Sequence, residues 1–166
     1  MRENTVIRPA QMSDVRELLR VYSFAQDYMI SSGNPTQWGK EYPNEQLIRN
    51  DIDCGWCYVV ESSNRIIGAF CAISGKDATY DVIEEGAWID DTLPYTTLHR
   101  IASDASHKGI FDHIIRWCDQ QWNNLRIDTH QDNHTMRHLI EKHGFQRCGI
   151  IFTRNQSARI AYQRIK

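Results

Sequence analysis

The sequence predicts a mixed α/β fold, with a mostly antiparallel central sheet of about seven strands flanked by about four helices. Three observations lead there. Runs rich in β-branched and apolar residues alternate with longer stretches of helical period, in the order β-α-α-β-β-β-α-β-α-β-β. Two polar turns, Ser62-Ser63-Asn64 and Asn155-Gln156, each join a pair of strand-like runs, so hairpins are mixed with helices. The length, 166 residues with 41% hydrophobic, suits a single domain over 1–166. A chain of that size buries roughly 70% of its unfolded surface and needs neither disulfide nor metal to hold a core.

Each element has its own justification. Thr5-Val6-Ile7-Arg8-Pro9 reads as a first strand, stopped by the proline. Ser13 and Asp14 offer an N-cap to a helix whose apolar face is Val15, Leu18, Leu19, Val21, Tyr22 and Ala25. Ser31-Ser32-Gly33-Asn34-Pro35 breaks it, and a second helix starts near Pro43-Asn44 and runs through Leu47 and Ile48. Cys57–Glu61 and Arg65–Ser74 form a hairpin. An irregular stretch from Gly75 to Pro94 leads to a fourth strand, Tyr95–Ser103. Gly109 to about Trp122 is helical, with Ile110, Phe111, Ile114, Ile115, Cys118 and Trp122 on one face. Leu125–Thr129 is a fifth strand, in which Leu125 and Ile127 alternate against Arg126 and Asp128. Asn133–Lys142 is a helix closed by Gly144, and Phe145–Thr153 and Ala158–Ile165 are the last two strands.

Composition excludes several classes. A net charge of −2 gives no basic stripe for nucleic acid. The longest apolar run, Ile66–Ile73, is too short to span a bilayer, and Met1–Thr5 is polar with no secretory h-region, so no membrane partner is expected. Five cysteines, an odd number, point to reduced thiols and a cytoplasmic protein. Cys54-Gly55-Trp56-Cys57 is a C-x-x-C, but it leads into a strand rather than opening a helix, so a thiol redox role is the weaker reading. His130, His134 and His138 lack an acidic or cysteine ligand at suitable spacing, and no metal is expected.

The unit that carries most chemistry is strand, short loop and helix: Leu98–Ser103, Asp104–Lys108, then Gly109-Ile110-Phe111. A helix N-terminus presents unpaired backbone N–H groups and about half a positive charge. A loop ending in glycine lets those donors approach a pyrophosphate, and Lys108 adds a cation. A plain strand-to-helix turn fits the same residues.

Ile7-Arg8-Pro9-Ala10 with Asp14 and Leu18, Ser106-His107-Lys108-Gly109-Ile110-Phe111 after the fourth strand, and Asn133 with Glu141-Lys142-His143-Gly144-Phe145 recur at a spacing that resembles the GNAT N-acetyltransferase superfamily over nearly the whole chain. The resemblance implies a GNAT-like domain that transfers an acetyl group from acetyl-CoA, as co-substrate, to an amine of a small molecule or peptide by direct attack in a ternary complex. It implies that Ile101, Ala102 and Ser103 pair with the pantetheine arm, that Ser106, His107, Lys108, Gly109, Ile110 and Phe111 hold the pyrophosphate, and that Asn133 reaches the pantetheine amide or only caps its helix. Ser106 stands where Arg or Gln is usual, Phe111 where a small residue is usual, and Ile140 where a tyrosine acid is usual.

His99 is the candidate general base. Strand alternation puts it on one face with Thr97, Ile101 and Ser103, and a free imidazole near pKa 6.5 suits proton removal at neutral pH. A packed, hydrogen-bonded histidine is the alternative. Tyr95 is a candidate acid or substrate contact. Gln37 and Trp38, in the loop between the first two helices, are candidates for substrate binding, and the acidic pairs Glu84-Glu85 and Asp90-Asp91 would favour a cationic acceptor. A non-catalytic CoA-binding module and a transferase of another acyl group remain as alternatives, and a homodimer is compatible with everything above.

Overall fold

The computed structural model describes residues 4–166; Met1–Glu3, part of the polar start read above, lie outside the described residues. Seven strands form one sheet: β1 (Thr5–Pro9), β2 (Cys57–Ser62), β3 (Arg65–Ser74), β4 (Thr96–Ser103), β5 (Asn124–Thr129), β6 (Gln146–Phe152) and β7 (Ala158–Ile165). Their order across the sheet is β1-β2-β3-β4-β5-β7-β6. The β4–β5 pair is parallel, and β1–β2, β2–β3, β5–β7 and β6–β7 are antiparallel. Four α-helices accompany them: α1 (Val15–Ser31), α2 (Glu45–Asp53), α3 (Ile110–Cys118) and α4 (His134–Lys142). The mixed, mostly antiparallel α/β architecture read from the sequence is the one present. Among the described residues, no helix is long and apolar enough to cross a membrane.

The chain folds as two compact units. One holds the chain up to Ala72 together with Arg100–Trp117; the other holds Ile73–His99 and Cys118–Lys166. In the first unit, the predicted face of α1 packs Leu18, Val21, Tyr22 and Ala25 with Ile48 of α2 and Val59, Ala69 and Cys71 of the β2–β3 hairpin. Asp14 does not cap α1 as expected. Its carboxylate accepts the Gln11 N–H at 2.8 Å and a fork from Arg8, at 2.8 and 3.1 Å. Arg8 also reaches Glu61 at 2.9 Å, so this arginine ties β1 to the helix start and to β2. The Arg8 hydrogen bond holds the Asp14 carboxyl below the usual carboxylate range, against the effect of burial.

β4 is interrupted. Arg100 has φ 50°, the left-handed region, which costs an L-residue with a long side chain about 1–2 kcal/mol. Its guanidinium forks onto Asp51 of α2, with both bonds 2.8 Å, and donates to the Tyr42 hydroxyl at 2.9 Å. Its carbonyl accepts from the Tyr22 hydroxyl at 3.0 Å. A left-handed residue inside a strand is an irregularity of the ladder, and it falls within the run Thr97, His99, Ile101 and Ser103 expected to alternate.

The second unit has a different core, built on Tyr80, Trp88, Tyr95, Cys148, Ile151 and Ala161. Here the expected alternation of β5 gives way. Arg126 is only 1% exposed rather than facing water. The 75–95 stretch covers that face, and the Arg126 guanidinium lies between the rings of Trp88 and Tyr95, 3.9 and 3.8 Å from their centroids. α3 also ends at Cys118, short of the expected Trp122. The Cys118 carbonyl accepts from both Gln121 and Trp122, and Asp119 is drawn to Arg164 and Lys166, which tightens the last turn.

Truncating one partner of a buried ion pair leaves the other charge unsolvated, which costs about 3–5 kcal/mol. Asp51→Ala is expected to lower the free energy of unfolding by that amount in a urea titration. A loss below about 1 kcal/mol would mean that Arg100 finds water instead.

Candidate functional site

The loop after β4 is folded by Asp104. Its carboxylate accepts from the Ser106 N–H at 3.0 Å and from the Ser106 hydroxyl, and it takes an ion pair from Arg20 of α1 at 2.9 Å. Burial would push the Asp104 carboxyl up, but the bonds from Ser106 and Arg20 together outweigh it and hold it below the usual range. The Ser106 hydroxyl also meets Nδ1 of His107 at 2.9 Å. Ser106 thus closes the loop on itself. Gly109 then opens α3 at φ 76°, and a Cβ placed there would meet nothing within 4 Å, so the space beside this glycine is open. Ile110 and Phe111 turn their side chains into the core and bring only backbone to that end. The close seat of α3 depends on Gly68 of β3, where a Cβ would stand 2.9 Å from Ile110 Cγ2 and 3.1 Å from the Ala102 carbonyl. Pairing of β4 with β5 runs from Thr96 to Leu98 and does not extend to Ile101–Ser103. Asn133 caps α4, its side chain accepting from the Met136 N–H at 3.1 Å.

The second unit carries the candidate catalytic side chains. His99 Nε2 lies 3.3 Å from Asp77 Oδ2. The other oxygen of Asp77 accepts from the Thr79 N–H at 2.9 Å, a local turn that fixes the carboxylate. The Asp77 N–H donates to the Tyr95 hydroxyl at 2.7 Å. His99 and Tyr95 are therefore brought together at Asp77, a residue of the irregular stretch before β4 that no motif in the sequence marks. The signal that could have found it is local: an aspartate two residues before a threonine, at the end of a strand, is a common turn starter. The hydrogen bond from His99 holds the Asp77 carboxyl down at about 2, against burial.

Around this pair the packing is aromatic. Tyr80 stacks near His99 at 6.5 Å and packs on Trp88 and Tyr95 at 5.0 and 6.2 Å. Its hydroxyl donates to Asp128 at 2.6 Å, and burial pushes it well above the usual phenol range, so it stays protonated. Tyr95, caught between Asp77 and Arg126, has a holding task.

Gln37 and Trp38 sit elsewhere, in the first unit. Trp38 packs edge-on to Tyr22 and Tyr42, at 5.9 and 6.1 Å, as a hydrophobic anchor for its loop. Gln37 accepts from the Asn34 side chain at 2.8 Å. Neither lines the nearby cavity of about 500 Å³ bounded by Ser23, Gln26, Lys40 and Glu41. Three cysteines are poor nucleophiles: burial pushes Cys118 up to about 12 and raises Cys148, and a bond with Cys57 together with burial raises Cys71.

Solved structures place this architecture among acetyltransferases. A GNAT-family acetyltransferase from Streptococcus agalactiae is 30% identical, with a TM-score of 0.90 over 98% of this chain and 95% of that one. A GNAT-family acetyltransferase from Listeria monocytogenes (20% identical, TM-score 0.70, 98% and 95% covered) and a ribosomal-protein-alanine N-acetyltransferase from Brucella melitensis (19%, 0.60, 97% and 99%) share the fold. No family model and no curated protein matches the sequence. The chain belongs to the GNAT family of acetyltransferases.

Asp77 gives a pH signature. Its carboxyl is depressed in the folded state, so the stabilisation from its pairing is complete above the unfolded value near 3.9 and is lost as pH falls through about 2. Asp77→Asn is expected to be less stable than wild type by about 1 kcal/mol at pH 6, the full effect being reduced by water at a partly exposed pair. Urea titrations should show the gap closing between pH 4 and 2; a gap that does not change with pH would deny the pairing.

Proposed function

We propose that this protein transfers the acetyl group of acetyl-CoA to the amine of a small molecule or peptide, by direct attack in a ternary complex. The observation that carries the reading is the His99–Asp77 pair, 3.3 Å apart, in which His99 stands on β4, the strand before the glycine-opened helix, and Asp77 on the segment after β3. A family co-substrate fits the residues present. Ile101–Ser103 present strand backbone beyond the end of the β5 ladder, and the open space beside Gly109 suits a pyrophosphate held by backbone N–H groups and Lys108. Ser106 contributes by shaping the loop, and His107, Ile110 and Phe111 by backbone. Asn133 is shown as a cap, and its reach to the pantetheine is part of this proposal.

The thioester supplies an electrophilic carbonyl carbon. His99 takes the proton that an ammonium must lose, and its positive form is supported by Asp77. The nitrogen then forms the C–N bond, the C–S bond breaks, and the second proton the nitrogen must lose goes to the leaving thiolate; the products are the N-acetylated amine, free CoA thiol and the proton that His99 returns to water. A thiol near pKa 8.5 is a good enough leaving group that Ile140, in place of a tyrosine acid, is no obstacle. No enzyme nucleophile is needed, which agrees with the raised thiols.

The test is a titration with acetyl-CoA followed by initial-rate kinetics over an amine panel. Expected are a rise in Tm that grows with ligand as RT ln(1 + [L]/Kd) and intersecting double-reciprocal lines. Binding without turnover of any amine would return the non-catalytic reading, and no shift at millimolar acetyl-CoA would remove the co-substrate.

A further inference from the structure

Beside Asp77 lies a cavity of about 470 Å³, lined among others by Lys76, Thr79, Thr97, Arg154 and Gln156. It falls within the size range of small-ligand sites. Its walls come from the segment after β3, from β4 and from the turn between β6 and β7. Among the described residues, neither Lys76 nor Arg154 takes an ion-pair or hydrogen-bond partner, and both are exposed at the rim. Thr97, 1% exposed, lines the cavity with its hydroxyl unpartnered. A buried hydroxyl without a partner is costly to the folded chain and marks a place where a ligand group is awaited. The one carboxylate in the lining, Asp77, is already engaged by His99 and Thr79.

The acidic residues that suggested a cationic acceptor do not compensate these charges. Glu84 pairs through its backbone with Ile150, Asp90 closes its own turn on Thr92 and Leu93, and Asp91 pairs with Arg126. None of them lines the cavity. The cavity thus has two unpaired cations at its rim, and its one lining carboxylate, Asp77, is spent on Thr79 and on His99, which stands behind that wall.

We propose that the acceptor is a small amine that also bears an anionic group, a carboxylate or a phosphate ester. Lys76 and Arg154 hold the anion, Thr97 takes part in fixing the molecule, and the amine is presented to His99. This rests on the acetyl-transfer reading above, and names its substrate class. A polycation such as a polyamine would meet two like charges without a partner, which is how a charged site rejects the wrong ligand.

The test uses the full chain with acetyl-CoA and three kinds of amine: aspartate and β-alanine for the carboxylate, O-phosphoethanolamine for the phosphate, putrescine and spermidine as polycations. At least one anionic amine is expected to be turned over with a kcat/KM about 10- to 100-fold above the polyamines, the effect of a charge-assisted contact. The comparison of aspartate and β-alanine with O-phosphoethanolamine decides which anion fits. The double variant Lys76→Glu/Arg154→Glu, both at exposed loop positions, should raise the KM for that amine by a similar factor while the KM for acetyl-CoA stays put. Thr97→Val should also raise the acceptor KM, several-fold. Preference for polyamines, or an unmoved KM in the double variant, overturns the inference and leaves the acetyl-transfer reading standing. Failure to turn over any amine overturns both.

Discussion

Arg100 has to satisfy two demands at once. Its backbone takes a left-handed conformation inside a strand, and its guanidinium is buried. Neither is tolerable alone. The fork to Asp51, the bond to Tyr42 and the Tyr22 hydroxyl on its carbonyl together hold it there, so α1, α2 and the loop between them converge on one residue of β4. The strand pairs with β5 from Thr96 to Leu98, two residues before the left-handed position.

On the other side of that break the same kind of problem is solved by rings. Arg126 is buried on β5 between Trp88 and Tyr95, and Tyr80 packs on both of them. A cation between two aromatic faces gains attraction while keeping its hydrogen bonds to the Asp90 carbonyl and Asp91. The members of this cluster are large and buried, and Tyr95 is one of them. Tyr95 in turn holds the Asp77 backbone, and Asp77 holds His99. The catalytic candidate is therefore positioned through three contacts that start in a packed core, the arrangement a site needs if its geometry is to be reproducible.

Most of the fold was legible because its signals are local and periodic. The α1 face, the Asn44 and Asn133 caps, and the hairpin around Ser63-Asn64 are all written in neighbouring residues. His99 was legible as a histidine on a strand beside a glycine loop. Asp77 was not, since its importance lies in contacts with residues 18 and 22 positions away. Arg126 misled the alternation because no pattern within β5 shows that aromatic residues from another segment will cover it. For Trp38 a loop aromatic serves equally well as an anchor or a pocket wall, so its packing on Tyr22 and Tyr42 was not legible in the sequence.

In the reaction we propose, His99 has the role of accepting the amine's proton. Its most direct measurement is kcat of His99→Ala at saturating acetyl-CoA and amine, with folding checked by circular dichroism and acetyl-CoA affinity measured alongside. A general base contributes about 10²–10⁴-fold, so kcat should fall by that factor with affinity retained, and added imidazole should restore part of the rate. A folded variant whose kcat stays within about threefold of wild type, and which does not respond to imidazole, would contradict the assignment.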